Sequence, residues 1–149
     1  NLREKKALQS ILDDSISTII DRITLKKVSW KVVYPNEPAY ILADPLKLKI
    51  AFTNIIINAI EAMNDNQGEL SISVTSQNGH HMVSIKDNGT GISKETLPHL
   101  FEPYFTFKRN GLGLGLATTL NIIQSHKASI DVQTGLDLVS NWILKFERV

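Results

Sequence analysis

Cysteine is missing altogether from the 149 residues. That absence excludes a disulfide scaffold, a thiolate metal site and a cysteine nucleophile, and it is compatible with a reducing compartment. An excess of one charge is missing too. Sixteen Lys and Arg stand against fifteen Asp and Glu, for a net charge of +1, so the surface as a whole is no polyanion footprint and nucleic acid is not an expected partner. Recognition of phosphate, if present, must be local. Long apolar runs are also absent: Ile55-Ile56-Ile57 is closed off by Asn54 and Asn58, far short of the ~20 residues of a membrane span. There is no internal repeat, low-complexity tract or Gly/Ser linker. No signal-peptide pattern is visible, and with Asn1 in place of Met the expectation is a soluble domain excised from a longer protein. What is present is a 42% hydrophobic chain of one-domain size, ~100–150 residues being the commonest, able to bury roughly 68–70% of its unfolded surface.

Periodicity organises that chain. Leu8, Leu12, Ile16, Ile19, Ile20 and Ile23 recur at three- and four-residue spacing and predict an amphipathic helix from Leu8 to about Lys26. Val28 to Tyr34 alternates as a strand, Pro35-Asn36-Glu37-Pro38 turns the chain, and Ala39 to Leu42 is a short second strand. Asp44-Pro45 is a helix start, with Asp at the N-cap and Pro at the first helical position; the helix is expected to reach about Met63. Strands are predicted at Leu70–Thr75 and Met82–Lys86, joined around Asn78-Gly79, and again at Ser129–Gln133 and Val139–Phe146. Ser93-Lys94-Glu95-Thr96 opens a short helical stretch, and a helix with Leu116, Leu120 and Ile123 on one stripe follows Gly111 to Gly115. Helices and strands mix without strict alternation, which predicts an α/β two-layer sandwich: one mixed sheet covered on one face by about three helices.

Three places are chemically unusual. Asn54 and Asn58 are i,i+4 and share a helix face amid isoleucines. A buried amide must find partners, so the pair is either a set of satisfied core amides or a source of hard oxygen ligands for Mg²⁺, which takes few protein ligands and keeps its waters. Asp87 ends a strand and begins Asp87-Asn88-Gly89-Thr90-Gly91. The run is either an ordinary Asx turn or a carboxylate acceptor aimed at the exocyclic amino group of adenine, a donor. Gly111-Leu112-Gly113-Leu114-Gly115 leads into a helix and is either a flexible connection or a phosphate-binding helix start. It is not a P-loop, since no Lys-Ser/Thr pair follows, and it fails the dinucleotide fingerprint. Lys108 and Arg109 precede it, either to meet phosphates or to stay solvated. His80, His81, His99 and His126 show no metal-ligand spacing and are expected to be structural or exposed.

Taken in order, Asn54-x-x-x-Asn58, Asp87-x-Gly89-x-Gly91, Phe101-Glu102-Pro103-Tyr104-Phe105 and Gly111-x-Gly113-x-Gly115 closely resemble the N box, first glycine box, phenylalanine box and second glycine box of the ATP-binding catalytic domain of sensor histidine kinases. The resemblance covers nearly the whole chain and implies the Bergerat fold shared with gyrase, MutL and the heat-shock ATPase chaperones. It implies that Asn58 ligates Mg²⁺, that Asn54 supports the phosphate side, and that Asp87 binds the adenine amino group with Gly89 and Gly91 shaping the pocket. Gly111, Leu112, Gly113, Leu114 and Gly115 would form the hinge and backbone amides of a lid, Lys108 would be the lid lysine, and Phe101 and Phe105 would anchor the lid. ATP and Mg²⁺ are the implied cofactors.

The same resemblance discriminates within the superfamily. Gyrase-like ATPases carry a water-activating Glu four residues before the Mg²⁺-binding Asn; position 54 here is an amide, although Glu61, one turn on, is an alternative base. Leu112 stands where Thr is common, Lys127-Ala128 replaces a frequent Gly-Gly, and the late Gly-x-Gly-Thr segment is represented only by Gly135 and Ser140. No His precedes Asn54, so the phospho-acceptor is expected on a separate upstream dimerisation domain. Residues 1–9 would be the linker from it and 10–149 the catalytic domain. The implied partners are that domain, within a homodimeric full-length protein, and a response regulator receiver domain. The location would be cytoplasmic, as part of a membrane-anchored sensor or otherwise, with no direct membrane contact by this domain. The alternatives are a gyrase- or MutL-like ATPase and a degenerate nucleotide-binding docking module.

Overall fold

The computed structural model describes residues 3–103, 115–134 and 139–149. Its elements run β1 (Glu4–Ala7), α1 (Leu8–Leu25), β2 (Ser29–Val33), β3 (Tyr40–Ala43), α2 (Pro45–Glu61), β4 (Glu69–Gln77), β5 (His80–Asp87), α3 (Gly115–Ser125), β6 (Ser129–Thr134) and β7 (Ser140–Glu147). A single 3₁₀ turn at Leu97–His99 follows the Ser93 stretch, where the Ser93 hydroxyl accepts the Thr96 N–H at 3.1 Å.

The main sheet has the order β2-β4-β5-β7-β6. β2 is parallel to β4 and the remaining neighbours are antiparallel, so the sheet is mixed, as expected. β4 and β5 are joined at Asn78 and Gly79, both at positive φ (52° and 80°), the backbone of a type I′ hairpin turn. Strand pleating then sorts the side chains, since successive residues face opposite sides. Leu70, Ile72, Val74, Val83, Ile85, Trp142, Leu144 and Phe146 point to one face and are buried. The helices lie on that side, and α2 packs between α1 and α3.

α2 starts as its sequence dictates. Asp44 caps it, accepting the Lys47 N–H at 3.3 Å, and Pro45 occupies the first turn. The other end of the helical layer is tied to this start by His126. Its Nδ1 donates to the Ile122 carbonyl (2.8 Å) and its Nε2 accepts the Asp44 N–H (3.0 Å). That arrangement requires the neutral ring, and burial pushes the His126 pKa below its ordinary value. His81 is likewise buried, against the Ser76 hydroxyl at 2.6 Å. His99 pairs with Glu102 at the surface.

One element was not anticipated. β1 pairs antiparallel with β3 in a separate two-stranded ribbon, Lys5 opposite Leu42, and the Lys5 ammonium sits 4.5 Å above the Tyr40 ring. The segment expected to be a linker therefore holds a strand and the first residues of α1. Glu4-Lys5-Lys6-Ala7 carries no apolar alternation, so its pairing is decided by its neighbour and not by its own pattern.

α1 and α3 stop in the same way. Lys27 N–H bonds to the Thr24 carbonyl and Val28 N–H to that of Ile23; Lys127 N–H bonds to Gln124 and Ala128 N–H to Ile123. Both are Schellman closures, with Lys27 and Lys127 each at φ 54°, a conformation costing a non-glycine residue ~1–2 kcal/mol. The Lys127-Ala128 departure thus occupies a position where glycine is the unstrained choice. Lys27→Gly and Lys127→Gly are each expected to raise stability by roughly 0.5–1 kcal/mol after the glycine entropy cost, read as a higher denaturant midpoint at unchanged slope.

Candidate nucleotide site

Two amides of α2 face α3. Asn54 Nδ2 donates to the Gly115 carbonyl (3.1 Å) and to the Thr119 hydroxyl (3.3 Å). The Thr119 hydroxyl in turn donates to the Gly115 carbonyl (2.8 Å). Asn58 is buried, and its Nδ2 donates back to the Asn54 backbone carbonyl at 2.8 Å. Both amides are therefore satisfied on their nitrogen side. No described residue donates to either Oδ1. The core-amide reading is met on the nitrogen side, and the oxygens are left without a protein donor among the described residues.

Asp87 reaches the same interior by parity. Val83, Ile85 and Asp87 alternate on one face of β5, so the last of them is carried inward and is only 2% exposed. Its Oδ1 accepts the Gly89 N–H at 2.8 Å. Burial dominates its acidity, raising the carboxyl pKa to about 6, with the Gly89 bond opposing. Across the ladder Asp87 is registered with Ser140, which is also buried. Ser140, which with Gly135 stands for the late Gly-x-Gly-Thr segment, is thus the cross-strand neighbour of the carboxylate.

The turn after Asp87 is held from three sides. Thr90 N–H bonds to the Ala62 carbonyl at the end of α2 (3.0 Å). Asn88 takes the Glu69 N–H on Oδ1 (2.8 Å) and donates to the Gln67 carbonyl (3.0 Å). Ile92 N–H bonds to the Thr134 hydroxyl (3.1 Å). Gly89 passes so close to α2 that a Cβ there would sit 2.5 Å from the Ala62 carbonyl oxygen, and Gly91 has φ 73°. Phe101 packs its edge against Trp142, with ring centres 6.3 Å apart. Phe105, Lys108, Gly111, Leu112, Gly113 and Leu114, like Arg109 and Gly135, lie outside the described residues.

A buried carboxylate, two amide oxygens that no described residue engages and a glycine turn pinned to the same helix lie together at this end of the fold. Residues 43–144 fit the model of the histidine kinase-, DNA gyrase B- and HSP90-like ATPases. The chain belongs to this ATPase family. Sporulation kinase A of Bacillus subtilis (strain 168) is 32% identical over 133 residues, 89% of this chain and 22% of the kinase. Sporulation kinase B of the same organism is 36% identical over 125 residues, 83% of this chain and 28% of the kinase. The chain thus spans about a quarter of the length of these curated relatives. In fold it matches the catalytic domain of histidine kinase ThkA at a TM-score of 0.89 and 24% identity, covering 99% of this chain and 97% of that one. It also matches ThkA in complex with the response regulator TrrA, at a TM-score of 0.82 and 22% identity, covering 99% of this chain and 42% of that one.

Sequence reasoning did not single out Thr119, Asn88, Thr134 or the Ala62 carbonyl as parts of this ATPase site. Thr119 falls at i+4 from Gly115, a spacing visible in the sequence. The Ala62 carbonyl carries no side-chain signal at all.

Asp87 and Gly89 yield opposite expectations. The folded chain holds the Asp87 proton from the ordinary 3.8 up to about 6, so stability from the neutral carboxyl is lost as pH rises through that window. At pH 7 Asp87→Asn should therefore stabilise the nucleotide-free chain, by on the order of 2 kcal/mol, and the gain should vanish below about pH 4. The same variant should bind adenine nucleotide about tenfold more weakly or worse. Thermal melts across pH and calorimetric titration check the two halves. Gly89→Ala should cost roughly 2 kcal/mol or more, because backbone cannot yield at 2.5 Å; a denaturant melt measures it.

Proposed function

We propose that this chain is the ATP-binding catalytic domain of a sensor histidine kinase, passing the γ-phosphoryl group of ATP to a histidine on a separate helical domain. The observation that carries the reading is Asn54. Position 54 is an amide whose two N–H groups are spent on α3, so it holds no group able to take a proton from water. Glu61 ends α2 and is exposed. A site that binds the nucleotide without activating water favours a protein acceptor over hydrolysis. The kinase relatives support this choice within the ATPase family.

In this reading Asp87 accepts the adenine amino group, and Gly89 and Gly91 keep side chains off the base. Asn58 Oδ1 is a hard, unengaged oxygen on a buried residue, which suits Mg²⁺ with phosphate oxygens and waters completing its shell. Asn58 would hold Mg²⁺, which would supply positive charge to offset the charge of the phosphates. The resemblance assigns phosphate contacts to Lys108 and to the glycines from Gly111 to Gly115, and lid anchoring to Phe101 and Phe105; of these, Phe101 and Gly115 are among the described residues. The transfer breaks the bond between the γ-phosphorus and the β,γ-bridging oxygen, releases ADP, and forms a P–N bond on the acceptor imidazole, whose N–H proton leaves. Such chemistry needs positioning and charge stabilisation more than a protein nucleophile.

The acceptor domain would precede residue 10, with residues 1–9 as its connection, in a homodimeric full-length protein. A response regulator receiver domain would take the phosphoryl group next, as the ThkA–TrrA assembly illustrates for that kinase. Among the described residues no helix is long and apolar enough to cross a membrane, and the domain is assigned to the cytoplasm, where ATP is available. The test is addition of the full-length protein's histidine domain with γ-labelled ATP and Mg²⁺. Acid-labile, base-stable label on a histidine is the expected result. ATP turnover abolished by Glu61→Gln, with no label on protein, would favour a gyrase-like ATPase. No nucleotide binding at millimolar ATP would leave only a docking module.

A further inference from the structure

We infer that Thr119 is a positioning residue for the phosphate side of the site, orienting the Asn54 amide through its hydroxyl. The inference rests on the ATP-binding reading above.

Thr119 is fully buried in α3 (0% exposed), and its hydroxyl is committed in one direction. A hydroxyl has one hydrogen, and here it goes to the Gly115 carbonyl at 2.8 Å. Only lone pairs remain to face Asn54. The neighbouring Gly115 carbonyl is also an acceptor. Asn54 therefore meets two acceptors on α3, at 3.3 and 3.1 Å, and must present its NH₂ group to them. The flipped amide would set Oδ1 against two oxygens and turn the NH₂ away from α3, in place of the oxygen. Oxygen and nitrogen of an amide are nearly alike in shape, so packing alone does not choose between the two orientations; the hydrogen-bond partners do.

The consequence reaches Asn58. Its Nδ2 bonds the Asn54 backbone carbonyl whichever way the Asn54 side chain is turned, so the Asn54 orientation alone decides whether an oxygen or an NH₂ group stands one turn from the Asn58 Oδ1 on that helix face. Without the Thr119 lone pair, one of the two Asn54 N–H groups loses its partner and the amide is released to rotate. The expected defect is selective: metal-assisted phosphate binding suffers and adenine binding at Asp87, on β5, does not.

The experiment is calorimetric titration of the full chain with a non-hydrolysable ATP analogue, with Mg²⁺ and with a chelator. Thr119→Val keeps the shape and removes the hydroxyl; Thr119→Ser keeps the hydroxyl. The expected result is a Mg²⁺-dependent gain in affinity cut about tenfold in Thr119→Val, the scale of losing a ligand-orienting partner. Affinity in chelator stays within about twofold, and Thr119→Ser retains the wild-type gain. In an Asn54→Ala background, Thr119→Val should change the gain no further. Should Thr119→Val fail to fold by thermal melt, Thr119→Ala reads the same loss of hydroxyl. Equal loss with and without Mg²⁺, a Thr119→Ser defect as large as that of Thr119→Val, or an undiminished effect in the Asn54→Ala background would each overturn the assignment. Wild-type chain that binds no nucleotide would instead overturn the ATP-binding reading itself.

Discussion

Everything at the site depends on how a helix flanked on two sides satisfies its own polar groups. α2 packs between α1 and α3, and its buried face is isoleucine, leucine and phenylalanine. On the α3 side two asparagines are carried into that packing. An unpaired buried amide costs several kcal/mol at worst and about 1–3 in proteins, so the nitrogens must be bonded. They are, to a carbonyl and a hydroxyl of α3 and to α2's own backbone. Because nitrogens are spent inside the protein, oxygens remain for a ligand. Packing and function draw on opposite ends of the same side chains.

Asp87 follows the reverse logic. There, strand parity drives a carboxylate inward, and burial lowers its acidity against the opposing bond from the Gly89 N–H. A carboxylate held short of partners is a destabilising feature in the empty chain and a strong acceptor when a donor arrives. Natural sites commonly trade stability for function in this way. Gly89 shows the accompanying steric demand: the turn must pass beneath the end of α2 with no side chain between them.

Much of this was legible beforehand, and the legible part has a common cause. Helices α1 and α2, the Asn78-Gly79 hairpin and the alternating strands announce themselves because burial of one face imposes a period on the sequence. Asn54, Asn58 and Asp87 stood out because they break that period with polar groups. β1 was not legible, since an exposed two-stranded ribbon needs no apolar alternation. Thr119 was hidden because one threonine in a helix is unremarkable until its neighbour across the interface is known. Ser140 was underrated for a similar reason: it stands beside Asp87 only through the register of β5 on β7, strands far apart in sequence. The backbone contacts at Ala62 leave no trace in residue type.

That register has a bearing on how such domains diversify. Between Asp87 and Ser140, which are partners in the ladder, the chain builds α3 and β6 against the rest of the fold. The entropy of closing a long loop rises only with the logarithm of its length, ~0.6 kcal/mol per doubling. Insertions and deletions in the loops of that stretch therefore cost little closure entropy, while the Asp87 carboxylate stays locked to a strand. The length of those loops can change without disturbing the register that places Asp87 beside Ser140.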